Sequence, residues 1–254
     1  MKVLVANDDG IKSRGIYELV KALSAKADVY VVAPESQRSA SGHGITIAKP
    51  IRVEKVEFDN ARLAYQISGT PADCVKLGME ILSKENIKVD MVFTGINHGG
   101  NLGNDTLYSG TVSAALEGSI CGVPSVAVSV CSHQAEYFDY ACELAAECLE
   151  KAKGKLAPET VLNINVPNLP KDEIKGLRYA SLGKVEYREF FDVEELESGK
   201  RQYLYGGEPI AVTGLPETTD VMSMQEGYAT ITPLHSDLTD YSLINEVRKW
   251  RIGE

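Results

Sequence analysis

Two adjacent carboxylates, Asp8 and Asp9, follow the apolar run Val3-Leu4-Val5-Ala6 and precede Gly10. Like charges side by side repel, so both are held at one strand end only where a cation or strong donors compensate them. Asn, Asp and Gly are also ordinary turn formers, and the pair alone fits a solvated turn equally well. More oxygen donors lie in Glu35 to Gly44 (ESQRSASGHG), which contains Ser39, and in Gly95 to Asp105 (GINHGGNLGND), which contains Asn97 and Asn101. A fourth stretch, Ser109-Gly110-Thr111, opens a helical run where unpaired N–H groups, the helix dipole and two hydroxyls favour an anion. Taken alone, Ser109 or Thr111 also fits the commoner role of capping its own helix.

These stretches need a scaffold that brings them together. Ile16, Leu19, Val20 and Leu23 recur at helical spacing over residues 14–26, and Val29 to Ala33 is an apolar strand stopped by Pro34. Strand, helix and strand form a right-handed βαβ unit, which predicts a parallel sheet covered on both faces. The alternation continues with a strand over 90–94, a helix over 112–120 ended by Gly122, and a strand over 124–130. A helix over 137–151 follows, with Tyr137, Ala141, Leu144, Ala145, Cys148 and Leu149 as its buried face, and then a strand over 161–166. The expected fold is an α/β doubly wound, mostly parallel sheet. All its parallel strands end on one rim, so Asp8, Asp9, Ser39 and Asn97 should meet at one crevice. Carboxylate, hydroxyl and amide oxygens are hard donors that select Mg²⁺, Mn²⁺ or Ca²⁺ over Zn²⁺. A cation beside an anion site points to phosphate-ester chemistry.

Between these core elements, residues 51–58 and 63–68 alternate as a hairpin turning at Asp59-Asn60. Thr70-Pro71 opens a helix to about Lys84, with Cys74, Leu77 and Ile81 as its buried stripe. After residue 170 the pattern changes. Residues 175–232 hold short alternating segments and no helix, and Tyr241 to Arg251 forms a last helix with Leu243, Ile244 and Val247 on its apolar face. The expected division is a catalytic core over 1–170 and a β-rich appendage with a terminal helix over 171–254. The appendage serves either oligomerisation or packing back onto the core.

Composition narrows the function classes. The chain has 254 residues, is 44% apolar and carries a formal net charge of -10, which argues against a nucleic-acid duplex as main partner. No apolar run approaches a membrane span, and no signal peptide is evident at the N-terminus. Five cysteines show no C-x-x-C pair and four histidines no H-x-x-x-H spacing, the pattern of a reduced, cytoplasmic protein without a zinc site.

The motifs N-D-D-G-I, R-S-A-S-G-H, G-T-P-A-D-C-V, G-x-N-x-G-x-N-x-G and Y-S-G-T-V-x-A-A-L-E-G occur in that order through most of residues 1–166, with T-P-L-H at 232–235. In this the chain resembles the SurE family of stationary-phase survival proteins, metal-dependent phosphatases of nucleoside 5′-monophosphates. The resemblance implies a Rossmann-like core and one divalent ion, Mg²⁺ or Mn²⁺, held by Asp8, Asp9, Ser39 and Asn97. It places Ser109, Gly110 and Thr111 around the substrate phosphate, with Asn101 as a further substrate contact. It implies C-terminal segments exchanged within a homodimer, sometimes inside a tetramer. The expected activity is a 5′-nucleotidase, an acid-phosphatase-like phosphomonoesterase in which a metal-activated water attacks phosphorus and Asp9 orients it. An aspartyl phosphate on Asp8 is the other route. The competing class is a Mg²⁺-binding receiver-like signalling module, which needs an acceptor Asp where this chain has Thr94-Gly95-Ile96-Asn97. A dinucleotide binder fits worse, because N-D-D-G replaces the glycine fingerprint.

Overall fold

The computed structural model describes residues 1–196, 198–210, 214 and 216–253; residues 197, 211–213, 215 and 254 of the expected appendage lie outside the described residues. The chain opens with β1 (Lys2–Ala6), α1 (Arg14–Ser24) and β2 (Asp28–Pro34), the βαβ unit expected from its apolar spacing. The hairpin β3 (Val53–Val56) and β4 (Leu63–Ile67) and the helix α2 (Pro71–Lys84) follow. Thr70 caps α2 with its hydroxyl on the Asp73 N–H, and the Asp73 carboxylate returns to the Thr70 N–H. Next come β5 (Met91–His98), α3 (Gly110–Ile120), β6 (Ser125–Val130), α4 (Asp139–Lys151) and β7 (Val161–Val166). The C-terminal part holds β8 (Leu177–Tyr179), β9 (Glu186–Glu195), β10 (Arg201–Ile210), α5 (Asp220–Gln225), β11 (Ala229–Leu234) and α6 (Ile244–Arg248).

Nine strands form one mixed sheet in the order β3-β4-β2-β1-β5-β6-β7-β11-β8. Its centre, β4-β2-β1-β5-β6-β7, is parallel throughout, whereas β3 and β11 run antiparallel to their neighbours β4 and β7. Helices α1 and α4 cover one face over Val5, Val31, Phe93, Val128 and Ile164, while α2 and α3 cover the other over Leu4, Val32 and Val92. Apolar burial at roughly 25 cal/mol per Å² drives this three-layer packing. Gly15 marks where α1 starts against β5, since a Cβ there would lie 1.9 Å from the Ile96 carbonyl oxygen.

Several elements differ from the sequence expectation. β5 continues past Thr94 through a bulge, so Asn97 and His98 still pair with Ser129 and Val130 and the glycine-rich loop begins later than expected. The stripe α2 buries is Cys74, Val75, Gly78 and Leu82, because the neighbouring β1 and β2 side chains meet it there; Leu77 and Ile81 are only partly buried. Tyr137 lies before α4 and is exposed, and its place on the core is taken by Phe138. Residues 175–232 contain a helix after all, the six-residue α5, capped by Thr219. The terminal helix shrinks to five residues, with no buried residue to hold its outer turns. β8 and β11 join the nine-stranded sheet, so the sheet runs past residue 170, whereas β9 and β10, among the described residues, pair with each other in a separate two-stranded sheet.

Candidate active site

The parallel strands deliver their C-terminal ends to one rim, where hydrogen bonds link Asp8 to Thr111 and, through Gln37, Asp9 to Ser39. The Asp8 carboxylate accepts from the Thr111 hydroxyl at 2.5 Å, and its backbone carbonyl accepts from the Arg38 N–H at 2.7 Å. Asp9 accepts from the His98 N–H at 3.0 Å and from the Gln37 side-chain amide at 3.3 Å. The same Gln37 amide reaches the Ser39 hydroxyl at 2.8 Å, which brings the loop after β2 beside Asp9. Asn97 turns its amide nitrogen onto the Gly99 carbonyl at 2.9 Å, which leaves its oxygen as the donor atom for a ligand.

Charge at this rim is poorly compensated. Asp8 is 4% exposed, and burial, opposed by the Thr111 hydroxyl and reinforced by neighbouring Asp9, pushes its pKa from 3.8 to about 6. Each of the contributions that raise it disfavours a second negative charge, and a cation would reverse them. Among the described residues no group of three or more His, Cys, Asp or Glu is placed to hold a metal ion. A cation at this rim would draw on two carboxylates and neutral oxygens, hard donors of the kind that suit a hard divalent ion.

Beside the acids, α3 begins. The Ser109 hydroxyl accepts from the Val112 N–H at 3.0 Å, so Ser109 does cap its helix, while its own O–H stays available as a donor. The N–H groups of Gly110 and Thr111, in the first turn, have no intrahelical acceptor. The hydroxyl of Thr111 is committed to Asp8, and its carbonyl accepts from Thr94 at 2.8 Å. Asn101 is buried, and the fold holds its backbone and its side-chain nitrogen. Its N–H and carbonyl are bound by Asn165 and Asn163, and its amide donates to Ser129 at 2.8 Å, which seats the glycine-rich loop on β6 and β7.

Sequence reasoning missed three contributors. Gln37 bridges Asp9 and Ser39, the His98 backbone braces Asp9, and buried Asn7 bonds Gly10 and Ser13 to shape the acidic turn. Asn7 was legible as the residue between the apolar strand and the acids, and His98, like His43, stood out as a second-tier candidate in a glycine-rich loop; Gln37 had no signal of its own. A groove of about 350 Å³ lined by Leu144, Cys148, Leu162, Leu177 and Ile231 shares no residue with this rim.

Fold and rim together define a Rossmann-like α/β protein whose strand ends set hard oxygen donors beside the first turn of α3. The family model described as "Survival protein SurE" matches residues 3–189. The 5′-nucleotidase SurE of Heliobacterium modesticaldum (strain ATCC 51547 / Ice1) is 47% identical over 256 residues, covering 100% of this chain and 93% of that protein. That of Thermoanaerobacter sp. (strain X514) is 44% identical, covering 99% of each. The crystal structure of the SurE protein from Aquifex aeolicus superposes with a TM-score of 0.84 at 37% identity, covering 98% of this chain and 99% of that one. The chain belongs to the SurE family.

Proposed function

We propose that this protein is a divalent-cation-dependent phosphomonoesterase that hydrolyses nucleoside 5′-monophosphates to nucleoside and phosphate. The observation that carries it is the contact between buried Asp8, the first of the two adjacent acids, and the start of α3, where a Cβ on Gly110 would lie 2.8 Å from the Asp8 Cβ. Relatives named 5′-nucleotidase that align over nearly the whole chain support the substrate class. They also disfavour the receiver-like alternative. Asp8, Asp9, Ser39 and Asn97 would hold one Mg²⁺ or Mn²⁺. When bound, that ion lowers the pKa of a coordinated water and screens phosphate charge. Asp9, braced by His98 and Gln37, orients the attacking water. The N–H groups of Gly110 and Thr111 and the Ser109 hydroxyl take phosphate oxygens, and Thr111 fixes the rotamer of Asp8 from beneath. A screen for phosphate release from nucleoside monophosphates tests the reading, with EDTA and with added Mg²⁺ or Mn²⁺. Release from none of them under any metal condition overturns it.

Asn97 separates binding of the cation from turnover. Asn97→Asp adds a third carboxylate, which tightens the cation. The same change brings a negative charge toward the arriving phosphate, at a cost on the order of 1–4 kcal/mol for like charges a few ångströms apart. It also sets a carboxylate against the Gly99 carbonyl where an amide N–H now donates. The expected result is a lower half-saturating Mn²⁺ concentration together with a roughly tenfold to thousandfold loss of kcat/KM. Undiminished hydrolysis at saturating metal removes Asn97 from the cation shell.

The C-terminal segments support assembly of two copies. After β11, Leu238, Tyr241, Leu243, Trp250 and Ile252 are all exposed, and the β9–β10 ribbon exposes Phe191, Val193, Leu204 and Tyr205. So much apolar surface on extended segments is costly in water and is buried when the segments are exchanged between subunits of a homodimer. Deleting residues 236–254 is expected to shift light-scattering mass toward the monomer while leaving kcat within a few-fold. An unchanged mass, or a monomeric full-length protein, contradicts the exchange.

A further inference from the structure

The loop that carries Ser39 has no strand or helix between Pro34 and β3, and beyond the Arg38 and Gln37 contacts to the acidic turn it is fastened at four points over residues 42–46. The Gly42 N–H donates to the Tyr108 carbonyl at 3.1 Å, the Gly44 carbonyl accepts from the Thr70 hydroxyl at 2.7 Å, and the Thr46 N–H donates to Asp73 at 3.0 Å. The fourth point is made by side chains alone, with His43 Nε2 lying 2.9 Å from Glu117 Oε2. Glu117 lies on α3, two turns beyond the proposed phosphate site, with a side chain only 4% exposed. Its other oxygen accepts from Lys76 of α2 at 2.6 Å. A carboxylate buried among helices is unfavourable unless its partners are in place, and an apolar residue would serve mere packing better.

We propose that Glu117 and His43 form a positioning pair that holds the Ser39 loop against the rim, keeping the Ser39 hydroxyl within reach of the cation beside Asp8 and Asp9. The proposal rests on the cation-dependent reading above and adds residues that nothing else in the site accounts for. The pair acts at a distance from the reacting atoms. Ser39 is held by Gln37 on one side and, four residues on, by His43 through α3, the same helix that offers its first N–H groups to phosphate. Cation and phosphate sites thereby share one frame. Burial raises the Glu117 pKa, but the hydrogen bonds from Lys76 and His43 outweigh burial and hold it below the usual carboxylate range, so both contacts engage the ionised form.

The test is Mn²⁺ binding to the substrate-free protein, read by electron paramagnetic resonance, alongside nucleotide kinetics and thermal unfolding. His43→Ala is expected to weaken Mn²⁺ binding roughly 10–100-fold, the range for residues that orient metal ligands. The KM for nucleotide at saturating Mn²⁺ is expected to stay within a few-fold. His43→Gln, whose side-chain amide still donates to Glu117, is expected to restore most of the affinity. Glu117→Gln is expected to lie between wild type and His43→Ala. Wild-type Mn²⁺ affinity in His43→Ala overturns the proposal, whether or not its melting temperature falls. Equal losses in His43→Ala and His43→Gln overturn it too. A wild-type protein that binds Mn²⁺ but hydrolyses no nucleotide overturns the phosphatase reading instead, and the binding comparison still decides the tether.

Discussion

Asp8→Asn and Asp9→Asn are each expected to abolish cation-dependent phosphate release and to leave a folded protein. Either substitution removes one of two negative charges from a set otherwise made of neutral oxygens. The expected loss in kcat/KM is on the order of a thousandfold or more, at the upper end for removing one preorganised electrostatic group. The fold should survive in Asp8→Asn because the amide oxygen of the new side chain can still accept the Thr111 hydroxyl that now binds the Asp8 carboxylate. Metal-free stability should rise. The folded-state pKa of Asp8 lies above its unfolded value, 3.8 moving to about 6, so folding favours the protonated form and wild type loses stability as pH climbs through that window. At neutral pH the ionised carboxyl costs on the order of 3 kcal/mol of folding free energy, a cost the Asp8→Asn variant avoids. Thermal unfolding in EDTA should therefore show Asp8→Asn more stable than wild type at pH 7, with the gap closing toward pH 4. Normal turnover of either variant at modest Mn²⁺ sinks the cation assignment, and a less stable Asp8→Asn at pH 7 sinks the charge argument.

What could be read from the sequence follows from how local each cause is. The acidic turn, the βαβ unit and the Thr70-Pro71 start of α2 depend on neighbours in sequence, and each stands where its residues place it. The shared rim followed from parallel topology: Asp8 and Asp9 follow β1, Ser39 lies in the loop after β2 and is linked to Asp9 through Gln37, and Asn97 stands near the end of β5 with its amide on Gly99. Features fixed by distant partners were illegible. Asn97 remains in β5 only because Ser129 pairs with it across a bulge, whereas its own surroundings, G-I-N-H-G-G, read as loop. Thr111 looks like a phosphate donor or a helix cap, and only the position of Asp8, 103 residues away, commits its hydroxyl elsewhere. Asn101 reads as a ligand contact, and nothing local shows that Ser129, Asn163 and Asn165 hold its side-chain nitrogen, N–H and carbonyl. Likewise β11 carries an ordinary strand pattern, and nothing local shows that it returns antiparallel to β7 instead of joining the β9–β10 ribbon.

Gly110→Ala is expected to damage both stability and turnover, although helix propensity alone argues the opposite sign. In an exposed helix interior, Gly to Ala gains about 1 kcal/mol. Here the added methyl would sit 2.8 Å from Asp8 Cβ, 2.9 Å from Asp8 Oδ2 and 3.0 Å from Pro71 Cγ. None of these neighbours can retreat cheaply. Asp8 is buried and short, with its other oxygen held by Thr111, while Pro71 is the first residue of capped α2. Overpacking a filled site costs typically about 1–3 kcal/mol, which equals or exceeds the propensity gain and leaves the variant less stable by up to about 2 kcal/mol. The catalytic effect should be larger. Relief comes either by turning Asp8 or by moving the first turn of α3, and under the proposed function both disturb the contact between the cation and phosphate sites. A misplacement of about 1 Å in such a site costs about a hundredfold in rate. The expected result is a kcat/KM at least about a hundredfold below wild type, accompanied by weaker Mn²⁺ binding if Asp8 has turned, or by unchanged Mn²⁺ binding with raised KM if α3 has moved. A variant that keeps wild-type kcat/KM shows that the acid pair and the helix start do not act on the same phosphate.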